Sequence, residues 1–221
     1  MTVSIENFIK AIYKLNKQPE SDARLSTIAS VLGISNAAAT DMARKLAVKE
    51  LVHYTKYKPL ELTDEGNKLA LNVIRKHRLW ESFLYQTLDL SLHEIHTEAE
   101  HLEHLTSDFL ADKIEKYLDY PAFDPHGDPI PNLHGKVEND HEQLQLAEAL
   151  PGQMYEISRL FSSEKDFFDF CASNELGIGS KLWIEKQYGN TGMTEIRMDD
   201  NKLLLNQDFT RVIYVKQKAE V

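Results

Sequence analysis

The chain has 221 residues, of which 42% are hydrophobic and 27% charged, a composition that supports a packed core and excludes a compositionally disordered chain. No apolar run is long enough to span a membrane, so we expect a cytoplasmic protein without a membrane partner. The single cysteine, Cys171, excludes an intrachain disulfide and any cysteine-rich metal site. A metal site in this chain would therefore use nitrogen and oxygen ligands.

The net charge of −10 hides a division between two parts of the chain. Residues 1–62 contain nine basic and six acidic residues and carry +3, so the other 159 residues carry −13. This asymmetry suggests separate roles for the two parts. The mildly basic part is the one with DNA as a candidate partner.

The N-terminal part contains three predicted helices. Apolar residues recur at steps of three and four over residues 4–15, which predicts an amphipathic helix. Ser26 is predicted to cap a second helix that ends at Gly33, and Ser35 a third over residues 36–49. Two short helices joined by a glycine-containing turn are typical of a helix-turn-helix.

The third helix and the segment after it complete this pattern. Ala38, Met42 and Leu46 are predicted to share the buried face of the third helix. Alternating apolar residues over 52–54 and 60–62, joined by a basic turn, indicate a hairpin. Helix, helix-turn-helix and basic hairpin together predict a winged helix whose hairpin can contact the DNA backbone.

Two longer amphipathic helices are predicted next. Thr63 begins the first, which continues to about Leu88. Ser91 and Glu94 form a capping box for the second, which is predicted to run without a break to about Leu118. Long amphipathic helices of this kind suit a dimer interface, and we expect a homodimer.

The C-terminal part changes to a strand-like pattern. A proline- and glycine-rich run over 120–131 ends the helical region, and a short helix is predicted at 141–150. From residue 151 the period is two, which predicts a small all-β domain with one short helix at 164–172. The fold class is therefore mainly α with a β C-terminal domain. The predicted strands cover residues 154–160, 181–187, 193–198, 202–205 and 212–216.

Histidines and glutamates share one face of the second long helix, within an arc of roughly 100°. They are His96, Glu100, Glu103 and His104, and the preceding helix carries His77 and Glu81 four residues apart. A divalent metal would offset the cost of burying these carboxylates. The donor set suits Mn²⁺, Fe²⁺, Zn²⁺ or Co²⁺. The alternative is a solvated helix flank, with His77 as an ordinary core histidine.

The candidate DNA contacts lie at the start of the third helix and in the basic hairpin. The first turn of a recognition helix reaches the base edges, where alanine can contact thymine methyl groups. The alternative is a helix-turn-helix used only for packing. The predicted DNA-binding residues are Ser35, Asn36, Ala37, Ala38, Thr40, Arg44 and Lys45 of the helix and Lys56 and Lys58 of the hairpin.

Five segments together resemble one known family. They are residues 6–13, 35–46, 75–81, 95–104 and 124–131. Over essentially its whole length the chain resembles the iron- and manganese-dependent transcriptional repressors of the diphtheria toxin repressor type. The resemblance implies a non-enzymatic repressor of metal-uptake genes, in which metal orders a homodimer for binding to a palindromic operator in double-stranded DNA.

The resemblance also implies three domains. Residues 1–63 would form the winged-helix DNA-binding domain, and residues 64–140 the helical metal-binding and dimerisation domain. Residues 151–221 would form a Src-homology-3-like (FeoA-like) β-barrel. By the same resemblance, His77, Glu81, His96 and the barrel residue Glu164 would form one metal site, and Asn7, Glu100, Glu103 and His104 the other.

The departures from the family pattern bear on the choice of metal. Iron-responsive members have cysteine where this chain has Glu100 and methionine where it has Asn7, and manganese-responsive members have glutamate at the first position. The expected ion is therefore Mn²⁺, with Fe²⁺ as the alternative and Zn²⁺ or Co²⁺ as substitutes in vitro. Some manganese-responsive members have a glutamate where Lys10 stands, so a paired-metal arrangement is not expected here.

Two other functions compete with this interpretation. A metallohydrolase could use the histidine and glutamate cluster, but it would need an open coordination position and a general base in a cleft. A metal-independent DNA-binding adaptor would leave both groups of metal-ligand candidates without a role. Turnover of an ester or phosphate, or DNA affinity that is unchanged by a chelator, would distinguish these alternatives from the repressor.

Overall fold

A computed structural model of the protein describes residues 2–17, 22–137, 143–199 and 201–218. The chain divides into two compact units, each assembled from separate segments. The first unit comprises Met1–Trp80, Ala99–Lys116 and Ile130–Val137, and the second comprises Glu81–Glu98, Tyr117–Pro129 and Glu138–Val221. The predicted fold class, mainly α with a β C-terminal domain, is confirmed.

The N-terminal region contains the predicted three helices and short hairpin. Phe8, Ile9 and Ile12 of the first helix are fully or almost fully buried and anchor its core. The hairpin is antiparallel and pairs Val52 with Leu62. The elements are α1 (Val3–Lys17), α2 (Leu25–Val31), α3 (Asn36–Val48), β1 (Val52–His53) and β2 (Glu61–Leu62).

Details of the helix-turn-helix differ from the prediction at α2. Gly33 has the positive φ of +62° that the turn requires, and the Ser35 side chain caps α3 by accepting a hydrogen bond from the amide of Ala38. The predicted Ser26 cap is wrong, because α2 begins at Leu25 and Arg24 occupies the cap position without a side-chain bond. Ser26 therefore lies inside the first turn.

The buried face of α3 includes Leu46, as predicted, but differs from the prediction at the other two positions. Ala39, Ala43 and Leu46 are fully buried, whereas Ala38 is exposed and Met42 is half-buried. The spacing of Ala39, Ala43 and Leu46 is itself a four-and-three helical repeat, and both alanines are small enough for close helix packing. With these residues buried, the first turn of α3 remains open to solvent.

The central region contains three helices, where two were predicted. The helix that was predicted to continue to Leu118 is interrupted over residues 103–107. The Thr106 hydroxyl donates to the carbonyl of Leu102 and accepts from the Trp80 indole, and Ser107 accepts from the amide of Leu110 at the start of the next helix. The helices are α4 (Asp64–Leu88), α5 (Leu92–Leu102) and α6 (Asp108–Tyr117).

The C-terminal part of the second unit is a six-stranded antiparallel sheet with two helices. The elements are β3 (Leu144–Gln145), β4 (Met154–Leu160), α7 (Lys165–Ser173), β5 (Lys181–Tyr188), β6 (Met193–Met198), β7 (Asn201–Leu205), α8 (Gln207–Val212) and β8 (Ile213–Gln217). The strands pair in the order β3-β8-β4-β5-β6-β7. The predicted helix at 141–150 is wrong for its described part, which forms β3 and a short 3₁₀ turn, Leu146–Glu148, while residues 138–142 lie outside the described residues.

Alternation along the strands builds the core of this sheet. Tyr155, Ile157 and Leu160 of β4 point inward and pack with the apolar face of α7. Cys171 of α7 lies in this core, where burial raises the pKa of its thiol to about 12. The cysteine is therefore part of the packing, as its apolar surroundings in the sequence indicated.

Candidate metal clusters and DNA-binding surface

One group of charged side chains, which we call the Lys10 cluster, joins three helical segments of the first unit. The Lys10 ammonium donates hydrogen bonds to Glu100 Oε1 at 2.6 Å and to Glu103 Oε1 and Oε2 at 2.9 and 2.7 Å. His77 Nδ1 lies 2.7 Å from Glu103 Oε2. The cluster comprises Glu6 and Lys10 of α1, His77 of α4, Glu100 of α5, and Glu103 and His104, which directly follow α5.

Glu103 is the centre of the Lys10 cluster. Its side chain has no exposed surface, and His104 Nε2 lies 3.2 Å from its Oε1. A carboxylate removed from water in this way costs several kcal/mol unless positive charges and hydrogen-bond donors compensate it. Lys10 and the two imidazoles surround the carboxylate from three helical segments, so its position depends on the packing of α1 against the rest of the cluster.

Glu100 is the more accessible carboxylate of the cluster. Burial alone would raise the pKa of Glu100, but the charges of Lys10 and His77 and the hydrogen bond from Lys10 lower it to about 2. Glu6 accepts a hydrogen bond from His104 Nδ1 at 2.6 Å. The two ring nitrogens of His104 therefore contact carboxylates from different segments of the chain.

Asn7 supplies the observation that tests whether these residues suit a metal ion. Its side-chain oxygen is buried and has no hydrogen-bond partner among the described residues. A buried amide oxygen without a partner is costly, and a cation is one way to satisfy it. Carboxylates, imidazoles and an amide oxygen without thiolate form a donor set that suits Mn²⁺ and other divalent ions of the first transition series. The residues fit a metal site.

A second group, which we call the His126 cluster, lies in the second unit. It comprises Glu81, His96, Asp124 and His126. Glu81 Oε1 lies 3.0 Å from His96 Nδ1 and 3.5 Å from His126 Nδ1. Glu81, Asp124 and His126 are all buried, and each offers one ligand atom within 4.8 Å of the others, so they could hold a metal ion.

His126 is oriented by its second ring nitrogen. Its Nε2 lies 3.1 Å from the carbonyl oxygen of Leu92, and because a carbonyl can only accept, Nε2 carries the hydrogen. Nδ1 then faces Glu81, as a donor when protonated and as a lone pair when neutral. Burial would lower the pKa of His126, but the Glu81 hydrogen bond and the charges of Glu81, Asp124 and Asp128 raise it to about 9.

The loop that carries Asp124 and His126 is fixed by its own turn and by β4. Asp124 Oδ1 accepts from the amides of His126 and Asp128, each at 2.9 Å. The amide of Leu160 donates to the carbonyl of His126 at 2.8 Å. Gly127, at φ +84°, lies against the carbonyl of Ser158, where a Cβ atom would come within 2.1 Å of the oxygen. Only glycine fits this approach.

The structure brings most of the sequence-predicted metal ligands into these two clusters. His77, Glu100, Glu103 and His104 meet in the first, and Glu81 and His96 in the second. Glu164 is exposed at the N-cap of α7, and its side chain makes no capping hydrogen bond. Four members were not among the predicted ligands: Glu6, Lys10, Asp124 and His126.

Signals for two of the four missed residues, Lys10 and Glu6, were present in the sequence. Lys10 lies between apolar positions on the buried face of α1, and a buried lysine requires a carboxylate partner. Glu6 precedes it by one helical turn. His126 lies in an Asp-Pro-His-Gly-Asp-Pro run, which gives no periodicity from which to place it.

The predicted DNA-binding residues lie on the open side of the helix-turn-helix. Ser35, Asn36, Ala37 and Ala38 are exposed, and so are Arg44 and Lys45 further along α3. Thr40 is half-buried, and its hydroxyl donates to the carbonyl of Asn36 at 2.8 Å. In the hairpin, Lys56 and Lys58 are exposed on either side of Tyr57. The arrangement leaves the first turn of α3 and two cationic side chains available for DNA.

Comparison with known proteins agrees with this architecture. Residues 1–60 match the N-terminal DNA-binding domain of the iron-dependent repressors, and residues 63–132 match their metal-binding and dimerisation domain. The chain belongs to the iron-dependent repressor family. This repressor is thus a metal-dependent DNA-binding regulator of transcription that forms a homodimer on double-stranded DNA.

Individual relatives cover most of the repressor. The diphtheria toxin repressor of Corynebacterium efficiens is 29% identical over 209 residues, which are 88% of this chain and 90% of that protein. A manganese-dependent transcriptional repressor in complex with manganese has a TM-score of 0.90 at 29% identity and covers 97% of this chain and 100% of its own. ScaR with bound Zn²⁺ has a TM-score of 0.82 at 31% identity, and the match covers 97% of this chain and 99% of ScaR.

None of the helices in the described part of the chain combines the length and the apolar character that crossing a bilayer requires.

Proposed function

We propose that this repressor responds to Mn²⁺, with Fe²⁺ as the alternative ion, and represses genes for metal uptake. The observation that carries the proposal is the Lys10 cluster together with the buried side-chain oxygen of Asn7, which lies on the same helix as Lys10. These residues combine carboxylate, imidazole and amide donors without a thiolate. Such donors suit Mn²⁺ and disfavour Cu⁺. The similar manganese-bound repressor supports the same ion.

Asn7, Glu100, Glu103 and His104 are the proposed ligands of one site. Asn7 lies on α1, and the other three lie on α5 or directly after it. Metal binding there supplies a cation that compensates the buried charge of Glu103. The residues that hold it then tie the first helix of the DNA-binding domain to the dimerisation domain, which favours one placement of the two winged helices.

Glu81, Asp124 and His126 are the proposed ligands of a second site, with His96 as a further candidate at 3.0 Å from Glu81. His77, which the resemblance assigned to this group, contacts Glu103 and Glu100 and is proposed to orient them. Glu164 is not included in the ligand set, because its side chain is exposed at the N-cap of α7. The second site would stabilise the loop that follows Tyr120.

Each predicted domain is assigned its own function. Residues 1–63 are proposed to bind DNA through the first turn of α3 and the hairpin lysines, and residues 64–140 to bind metal and dimerise. Leu105, Phe109 and Leu110 on and before α6 are exposed apolar side chains that suit the dimer contact. Residues 151–221 are proposed to form the β domain. Two recognition helices about 34 Å apart would read a palindrome.

A DNA-binding titration tests the proposal directly. The homodimer is titrated against fragments of its own upstream region in chelator and then in Mn²⁺, Zn²⁺ and, without oxygen, Fe²⁺. We expect specific DNA binding only when a metal ion is present, with full binding in Mn²⁺. Zn²⁺ should substitute in vitro, because nitrogen and oxygen sites generally bind Zn²⁺ at least as tightly as Mn²⁺. Binding that is indifferent to the chelator would contradict the metal requirement.

The variant Glu103→Ala tests the ligand assignment. Because Glu103 is central to the Lys10 cluster, we expect the variant to lose metal-stimulated DNA binding while it remains a dimer. Glu98→Ala is the matched control, since Glu98 is an exposed glutamate on α5, the helix that Glu103 directly follows. Undiminished operator affinity of Glu103→Ala in saturating Mn²⁺ would remove Glu103 from the site.

A further inference from the structure

Lys10 occupies an unusual position for a lysine. Its side chain is only 6% exposed, and it extends from α1 among the buried residues Phe8, Ile9, Ala11 and Ile12. Lysine is almost never fully buried unless it is paired. Here the pairing is complete, because the ammonium contacts three carboxylate oxygens at 2.6, 2.7 and 2.9 Å.

The place where these three oxygens converge is also where a divalent cation would be most stable. Glu103 has no exposed side-chain surface, so its charge must be compensated from within the protein. An ammonium group and a divalent cation cannot both contact Glu100 and Glu103 at these distances, because like charges repel strongly where water is excluded. One of the two cations must withdraw.

We propose that Lys10 is an internal cation that competes with the metal ion for Glu100 and Glu103 and so sets the metal concentration at which the repressor responds. This inference rests on the proposed metal site. In the metal-free protein the ammonium compensates both carboxylates and holds α1 in place. On metal binding the charged ammonium moves away from the carboxylates, and the flexible four-carbon stem of lysine permits this movement. No proton is lost.

The competition has two consequences that can be measured separately. Removal of the Lys10 charge should make the metal-free protein less stable, because Glu103 then remains buried without its ammonium. The same change should increase metal affinity, because the ion no longer has to displace a resident cation. A lysine that only filled space would change stability without increasing affinity.

The test compares Lys10→Met with the wild type in direct Mn²⁺ binding, measured by the electron paramagnetic resonance signal of free Mn²⁺, and in thermal unfolding in EDTA. We expect a fall in the Mn²⁺ Kd of about tenfold or more and a lower Tm in EDTA, with the difference in Tm reduced in saturating Mn²⁺. Lys10→Arg retains the charge and should keep a Kd near that of the wild type.

Lys14→Met is the matched control, since Lys14 is an exposed lysine one helical turn further along α1. Its charge lowers the pKa of Glu100 less than the charge of Lys10 does, so we expect a smaller change in Kd, of less than about threefold. Should Lys10→Met fail to fold in EDTA, Lys10→Gln provides a second neutral variant, and recovery of folding on addition of Mn²⁺ would support the competition.

The outcomes separate this inference from the proposed function. Equal Mn²⁺ affinity in the wild type and both neutral variants would overturn the competition while leaving the metal site intact. Weaker binding in the neutral variants would also overturn it, because Lys10 would then assist the ion. A wild-type protein that does not bind Mn²⁺ or Fe²⁺ would overturn the proposed function and the competition together.

Discussion

The Lys10 cluster and the His126 cluster solve the same electrostatic problem with different cations. Each buries a carboxylate almost completely, Glu103 in one and Glu81 in the other. Glu103 is compensated by an ammonium that stays charged, whereas Glu81 faces an imidazole whose raised pKa of about 9 still permits it to release a proton. On metal binding, the Lys10 cluster should therefore lose its contact with the lysine ammonium. The His126 cluster should instead release a proton.

The clusters also differ in what positions their residues. The Lys10 cluster is built on helices and their immediate ends, so its geometry follows from helix packing. In the His126 cluster, Asp124 and His126 belong to a loop that depends on a close approach to β4. Loops that depend on a few contacts can be loosened locally, so substitutions in the loop should affect one cluster and spare the other.

Gly127→Ala is expected to produce the largest difference between the two clusters in metal binding. A Cβ at this position would lie 2.1 Å from the carbonyl oxygen of Ser158, and the positive φ adds strain. We expect a loss of about 3 kcal/mol or more in the free energy of unfolding, because backbone must move to relieve the clash. Chemical denaturation in EDTA measures this loss, and Mn²⁺ titration should show a lost second site with the first retained.

Gly179→Ala is the control for this substitution. Gly179 has a nearly identical φ of +86°, but a Cβ there would meet nothing within 4 Å. It should therefore cost only about 1 kcal/mol from backbone strain and leave both sites intact. Similar losses in the two variants would mean that the contact with Ser158 does not position the loop.

Release of a proton on metal binding should show that the ion binds at the His126 cluster. At pH 7.5 an imidazole with a pKa near 9 is about 97% protonated, so a metal at Nδ1 must displace a proton. Affinity at this site should thus rise with pH, by up to about tenfold per unit below pH 9. Calorimetric titration with Mn²⁺ in buffers of different ionisation enthalpy counts the protons.

His126→Gln supplies the comparison for proton release. The wild type should release about one proton per chain more than this variant at pH 7.5, because the variant has no imidazole at this position. Equal release in both proteins would place the metal away from His126. The Lys10 contact contributes nothing to the difference, since its ammonium is displaced with its charge unchanged.

Much of the fold could be predicted because its elements have a regular period. The helices over 3–17 and 64–88 and five strands of the C-terminal sheet follow from apolar spacing alone. The interruption after α5 could not be predicted, because apolar spacing continues through it. It depends on Thr106, whose hydroxyl bonds to Trp80, 26 residues away in sequence.

Some members of the two clusters were predictable for the same reason, although which residues meet was not. Pairs four residues apart on one helix, such as His77 with Glu81 and His96 with Glu100, are visible in the sequence. The contact of Lys10 with Glu103 spans 93 residues, and no local pattern reports it. His126 lies in a loop without period, so only the folded chain shows which carboxylate it faces.

The smallest expected effect sharpens the contrast between the two clusters. Asp128, two residues after His126, forms an ion pair with Arg159, with Arg159 Nη2 2.7 Å from Asp128 Oδ1. The Arg159 guanidinium also lies 4.4 Å from the ring centroid of Phe161. Asp128→Asn removes the charge but keeps the shape. We expect a loss of about 1 kcal/mol in the free energy of unfolding, because the pair is only partly exposed to solvent.

Loosening the loop in this way should weaken metal binding at the His126 cluster by a few-fold and leave the Lys10 cluster unchanged. Glu185→Gln is the matched control, because Glu185 pairs with Arg197 at 2.6 Å on the exposed face of the sheet, remote in sequence from the loop. It should have little effect on stability and leave both affinities unchanged, because surface ion pairs contribute little. A uniform change at both clusters in Asp128→Asn would mean that they are coupled, and the distinction between a helix-built and a loop-built site would not hold.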